Sequence, residues 1–250
     1  MGKKWMDRYL LTVIGILRSP LTVSFIAITI VVGMMQEGGD SFTDRLYAYQ
    51  AGVEYFFIEP LELKALMTWM LPHLLLSVLI GRHLEDALVM ARFALPRYGS
   101  AYRWWVEEVL SIWGVIALYY FTTYTAVVVA SFAIQPGPFA DVVPVSLTII
   151  GQSVMIMTVL MTIQIAVHTF TRNAAAGAGV FFIILLISIF FPVREYARFA
   201  IGNWMMYRRS ARVSELDGYA YPMVMKASAS CLALTFGLTW IAYRGRKNHW

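Results

Sequence analysis

Charged side chains are scarce in this sequence, at 14% against 59% hydrophobic, too few to clothe an ordinary water-soluble domain of 250 residues. Lipid must cover the remainder. Cysteine is nearly absent: Cys231 stands alone, which excludes a disulfide within the chain and leaves a small packing residue as its plain role. No GxxxxGK[ST] run occurs, so the chain alone cradles no nucleotide phosphate. His73, His83, His168 and His249 are scattered over different segments, without the i, i+4 pair and nearby acid of a helical zinc site, so no metal ligand set is expected. An intramembrane enzyme would need a nucleophile and base or paired acids within spans, and His73 has no ionised partner in its own. Met1-Gly2-Lys3-Lys4 leads into Tyr9–Leu17 without the small-residue cleavage site of an export signal, and none is expected.

What the sequence has instead is a series of uncharged runs. A bilayer core of about 30 Å takes roughly 20 helical residues. The runs predict an all-α integral membrane fold, a single domain over 1–250, with spans at about 19–36, 63–81, 107–135, 142–170, 173–193 and 224–243. The first two lie near the lower length limit, and Gln135-Pro136-Gly137-Pro138 separates the third from the fourth because proline lacks the amide donor.

Charge sets the expected orientation. With the N-terminus inside, the cytoplasmic segments 1–19, 81–105, 168–173 and 243–250 hold twelve Lys and Arg against Asp7, Glu85 and Asp86. The outer segments 36–62, 135–141 and 193–222 hold six Arg against ten acids. The positive-inside rule then places both termini in the cytoplasm. Arg194, Arg198, Arg208, Arg209 and Arg212 oppose that bias from the outer side.

Residues 3–18 carry basic residues at both ends with Trp5, Tyr9 and aliphatics between, as in an interfacial elbow helix; a basic extension of the first span is the plainer alternative. Between spans two and three, Leu84, Leu88, Ala91 and Leu95 fall on one face of a helix over Leu84–Leu95 that Pro96 is expected to end. Tyr102, Trp104 and Trp105 suit the headgroup level after it. Such a helix can insert into a groove on a soluble partner, or it can simply contact headgroups. Outside, residues 36–62 interleave acids with aromatics, and 199–212 mixes Trp204, Met205, Met206 and Tyr207 with arginines.

Polar residues inside spans are candidates for a pathway. His73 follows Pro72 in span two, and a polar ring in lipid usually faces the bundle interior or a water-filled path. Gln152 and Gln164 lie on roughly one face of span four, where amides more often bond a neighbouring helix. The run Asn173-Ala174-Ala175-Ala176-Gly177-Ala178-Gly179 permits a close helix contact, within one chain or between chains.

This order of elements, with the segments ALPRYGSAYRWW and IGNWMMYRRS, resembles the permease subunits of type 2 ABC exporters over the whole chain, and within them the small permeases of lantibiotic and other bacteriocin self-protection. The resemblance implies a coupling helix between spans two and three. Its surface would be Glu85, Asp86, Leu88, Arg92, Phe93, Arg97, Tyr98 and Arg103, docking on a separately encoded ABC ATPase dimer. It also implies a second permease copy or related permease, ATP and Mg bound by the partner and none by this chain, membrane lipids around it, no nucleic acid, and a bacterial cytoplasmic membrane. The possible pathway is His73, Gln152 and Gln164, and the outer rim Trp204, Arg208, Arg209 and Arg212. The implied function is export of an amphipathic peptide or lipid-like compound. The alternative from a different class is a non-transporting immunity or sensor protein that captures a peptide at the outer surface.

Overall fold

The computed structural model describes residues 2–34, 42, 52–53, 62–98, 100–134, 136–137, 139–190, 194–206, 209–210 and 218–247. Within them the chain is helical: α1 (Gly2–Leu17), α2 (Pro20–Met34), α3 (Leu63–Tyr98), α4 (Ala101–Ile134), α5 (Phe139–Thr171), α6 (Ala174–Ile189), the single turn α7 (Arg194–Ala197), a 3-10 turn (Ile201–Met205) and α8 (Tyr221–Lys247). Ser210 and Tyr219 form an isolated β-bridge, and the described residues contain no strand.

Four stretches are long and apolar enough to cross a membrane: Leu63–Ala91, Ala101–Ile134, Ser146–Thr171 and Tyr221–Arg244. A fifth is the pair α1 and α2 taken together across a 62° bend. These several long apolar helices point to a multi-pass membrane protein. The expected six differ from this at the first and fifth runs. The helix α2 has 15 residues and α6 has 16. At 1.5 Å per residue such helices reach about 22–24 Å, short of a core near 30 Å.

Proline opens α2, where its missing amide costs nothing. The Thr22 hydroxyl donates 2.6 Å back to the Ile16 carbonyl and ties the two arms of the bend together. The helix α1 lies on α4, with Tyr9 seated so closely over Gly114 that a Cβ there would come within 2.2 Å of its hydroxyl.

The helix α5 is the common wall. It packs against α8, α6, α4 and α3, and 67% of its most apolar window is buried, against 22% for α8, so α8 lies at the periphery. The small-residue run at the start of α6 makes its close contact within the chain. A Cβ on Gly177 would lie 3.0 Å from the Gln164 carbonyl and 3.2 Å from the His168 Cβ, both on α5. Asn173 caps α6 by accepting from the amides of Ala175 and Ala176 at 2.9 and 3.3 Å.

Two expectations need correction. The segment after span two is not a separate helix ended by Pro96, because α3 runs unbroken from Leu63 to Tyr98. Leu84, Leu88 and Ala91 continue the buried stripe of Trp69, His73, Ser77 and Ile80, and the helix runs through Gly81 without a break. Pro96 sits in the last turn, where it removes only one bond and its fixed φ is already helical. Trp104 and Trp105 face into the bundle instead of outward, whereas Tyr102 stays exposed. The two tryptophans are 5% and 0% exposed, and Trp105 stacks on Tyr243 of α8 at 4.7 Å with an 11° interplanar angle.

Gly177→Leu is expected to overpack the α5–α6 contact and destabilise the protein by about 1–3 kcal/mol. Gly179→Leu, whose Cβ would meet nothing within 4 Å, should leave stability unchanged. Thermal unfolding of both variants in mild detergent checks the pair.

Candidate functional site

One set of buried polar groups meets along the buried face of α3. A 3.6-residue period places Trp69, His73, Ser77, Ile80, Leu84 and Leu88 on one stripe. His73 is 2% exposed, and its Nδ1 bonds the Tyr120 hydroxyl on α4. Trp69 meets the same imidazole edge to face at 4.9 Å. One residue along α4, the Tyr119 hydroxyl pairs with Thr29 of α2 at 2.6 Å and donates to the Pro72 carbonyl at 3.3 Å. One turn further along α3, Ser77 donates to the Gln164 amide oxygen at 2.7 Å while the Gln164 nitrogen returns 2.9 Å to the Ser77 carbonyl. Thus His73 and Gln164 reach the same α3 face from α3 and α5. Gln152 stands apart, donating to the Trp204 carbonyl in the 3-10 turn.

Where the uncharged stretch of α3 ends, an ionic collar begins. His83 Nε2 lies 2.5 Å from Glu108 Oε1 and Arg103 Nε 2.9 Å from Glu107 Oε1. Glu107 is 6% exposed. Glu107 and Glu108 entered the sequence reading only as the edge of span three. The i, i+4 spacing of Arg103 and Glu107 was a usable signal, whereas nothing local announces that His83 faces Glu108 across 25 residues.

Beyond the collar α3 keeps Leu88 and Ala91 packed on the bundle and turns apolar side chains outward on its other face. Val89, Met90 and Phe93 are 60%, 60% and 70% exposed, next to exposed Glu85 and Asp86. Leu88 is 1% exposed, packed inside the bundle and so not part of that surface. Arg92, Arg97 and Tyr98 lie on α3, with side chains outside the described residues. Arg103 is held in its ion pair with Glu107.

At the opposite end residues 194–206 and 209–210 fold inward as a plug. Arg209 is fully buried, and its guanidinium donates to the Val53 carbonyl at 2.8 Å, the Ser188 carbonyl at 3.2 Å and the Asn203 amide oxygen at 2.5 Å. Asn203 in turn donates 2.6 Å to the Ala197 carbonyl. Gly202 rests on Ser188 with its amide 3.0 Å from the hydroxyl, and a Cβ there would lie 2.7 Å from the Ser188 Cβ. Trp204, 6% exposed, donates its indole N–H to the Arg198 carbonyl at 2.8 Å. Arg209 and Trp204 therefore lie inside the fold instead of on an outer rim, because a guanidinium and an indole both need partners that this turn supplies as carbonyls. Arg208 and Arg212 fall outside the described residues. Phe42, Gly52 and Val53, from the stretch read as an acidic aromatic loop, also contribute to this end. Phe42 and Val53 are buried, and Gly52 uses φ +70° to pass under Met206.

Among the described residues no three His, Cys, Asp or Glu side chains converge as a metal site. The arrangement offers stapled helices, a plugged end and a helix end with one exposed apolar face. The chain matches no family model, no curated protein and no solved structure.

Arg209→Ala would strand three buried oxygens, and since each unsatisfied group costs about 1–3 kcal/mol the loss should be on the order of 3 kcal/mol or more. Arg209→Lys should recover only part, because a single ammonium cannot reproduce the planar fork. Denaturation in detergent measures both. In a Cys231→Ser background, Ser210→Cys should resist maleimide, since Ser210 is 0% exposed, while Tyr196→Cys at a 57% exposed position should label readily.

Proposed function

We propose that this chain is the permease subunit of an ATP-driven exporter in a bacterial cytoplasmic membrane, moving an amphipathic peptide or lipid-like compound outward. The observation that carries the reading is the tip of α3. Its 36 residues make a rod of about 54 Å, longer than a bilayer core by roughly 24 Å. Past the collar the rod shows exposed Val89, Met90 and Phe93 beside exposed Glu85. A few apolar anchors on a helix flanked by charges are what a groove on a soluble partner receives. That partner is a separate ABC ATPase dimer, which binds ATP and Mg and supplies the motor this chain lacks.

The positive-inside bias places the tip and both termini in the cytoplasm, where such an ATPase resides. Six spans follow if α2 and α6 each cross a locally thinned bilayer, which lipid accommodates at modest cost. A second permease, identical or related, completes the pathway between two bundles. Nucleotide binding closes the ATPase dimer and pushes on both tips, and the substrate binds the two resulting states unequally. Peptide capture without transport draws less support, because Arg209 and Trp204, offered as its outer surface, are consumed in holding the plug.

Pull-down of the tagged chain from its native membrane in mild detergent is expected to recover an ABC ATPase subunit. The double variant Met90→Glu, Phe93→Glu should lose it while leaving thermal stability unchanged, because both side chains are exposed. Absence of any ATPase from the wild-type pull-down would sink the reading. Labelling of Tyr196→Cys by an impermeant maleimide in intact cells tests the orientation, with modification expected from outside.

A further inference from the structure

We propose that the cavity between the α1–α2 bend and α3 binds one zwitterionic aminophospholipid, with its phosphate on Arg82 and its ammonium on Asp86. The cavity has a volume of about 350 Å³. Its apolar floor is Ile16, Leu21 and Leu79, and Arg82 and Asp86 stand among the residues that line it. That volume falls in the lower part of the range of about 300–1,000 Å³ typical of ligand sites, room for a headgroup and the start of its chains.

Three observations choose the occupant. The first is depth. Lys64 and Arg82 bound an uncharged stretch of α3 that rises about 25 Å, close to a bilayer core, so Arg82 and Asp86 stand at headgroup level. The second is charge. Arg82 and Asp86 are one helical turn apart and both exposed, yet they form no ion pair with each other and neither meets another partner among the described residues. Two unpaired opposite charges at that separation fit a headgroup that carries a phosphate and an ammonium together. An anionic headgroup would satisfy Arg82 and be repelled by Asp86. The third is the neighbouring collar: His83, also in the lining, is already held by Glu108, which leaves Arg82 and Asp86 as the charges available to a ligand. Gly15 lines the cavity as well, and a Cβ there would meet nothing within 4 Å, so a side chain can be added without backbone collision. The site does not depend on the transport reading, because binding needs neither ATPase nor substrate.

Native mass spectrometry of the full chain, delipidated and re-exposed to phosphatidylethanolamine, phosphatidylglycerol or phosphatidylcholine, tests the proposal. The wild type should retain one phosphatidylethanolamine about fivefold over either competitor, the scale of a single exposed charge contact. Asp86→Asn should erase the preference over phosphatidylglycerol, Arg82→Gln should weaken all three, and Gly15→Leu should exclude lipid while the protein unfolds at the wild-type temperature. Equal retention of phosphatidylethanolamine and phosphatidylglycerol by the wild type would overturn the proposal. So would retention unchanged by Gly15→Leu, or a dimer that Gly15→Leu dissociates while lipid binding persists.

Discussion

The Arg209 guanidinium is enclosed by the fold, so the chain must supply it with oxygens, and among the described residues Val53, Ser188 and Asn203 do so. One lies in the long stretch between α2 and α3, one at the end of α6 and one in the 3-10 turn. A buried cation is costly unless its donors are used. That cost makes the geometry of one end of the bundle strongly determined: moving any of the three segments leaves a donor in an apolar interior. The secondary contacts follow from the same seat. Asn203 is oriented by the Ala197 carbonyl, Gly202 can approach Ser188 only because it lacks a side chain, and Gln152 of α5 reaches the Trp204 carbonyl. Tyr219 completes the arrangement, its amide donating to the Arg209 carbonyl at 3.2 Å and its hydroxyl to that of Met206 at 3.3 Å.

The same requirement, that polar groups away from water find partners inside the chain, decides what Ser77, Gln164, Tyr119 and Tyr120 do, while Trp69 Nε1 and His73 Nε2 on that face have no partner among the described residues. Ser77 and Gln164 satisfy each other in both directions, and Tyr119 and Tyr120 of α4 hold Pro72 and His73. Such bonds fasten helices where apolar surface alone gives little preference between helix and lipid. They join α2, α3, α4 and α5 near mid-bundle.

Much of this architecture was legible in the sequence, and the parts that were not share a cause. Uncharged runs marked α3, α4, α5 and α8, because length and apolarity are local properties. The small residues after Asn173 announced a close contact, but only the fold shows that Gly177 spends it on Gln164 and His168 of the same chain. Pro96 misled because proline excludes continuation mid-helix and tolerates it in a last turn. Arg209 misled most. In one dimension it is another arginine in a polar loop; its burial depends on oxygens brought from residues 53 and 188, and no window of sequence contains them. Its removal from the exposed charges also eases the conflict that the 193–222 segment posed to the charge bias, since an arginine enclosed by carbonyls is no longer a surface charge of that loop.

The two ends of the bundle now have unlike mechanics. Between Pro72 and Pro96 the hydrogen-bond ladder of α3 is uninterrupted by proline, so a force at Val89 or Phe93 is carried along the rod instead of bending it. Pro72 is where the ladder loses a donor, and there the Tyr119 hydroxyl and the His73–Tyr120 bond brace α3 against α4. The bend between α1 and α2 is held differently, across Arg18 and Ser19, by the single side-chain bond from Thr22 to Ile16. Displacement of α3 meets the Pro72–Tyr119 and Ser77–Gln164 bonds at mid-bundle and an open cavity beside the bend at the near end. The compliant place is therefore the cavity wall, where α1, α2 and α3 can shift against one another without exposing a buried charge.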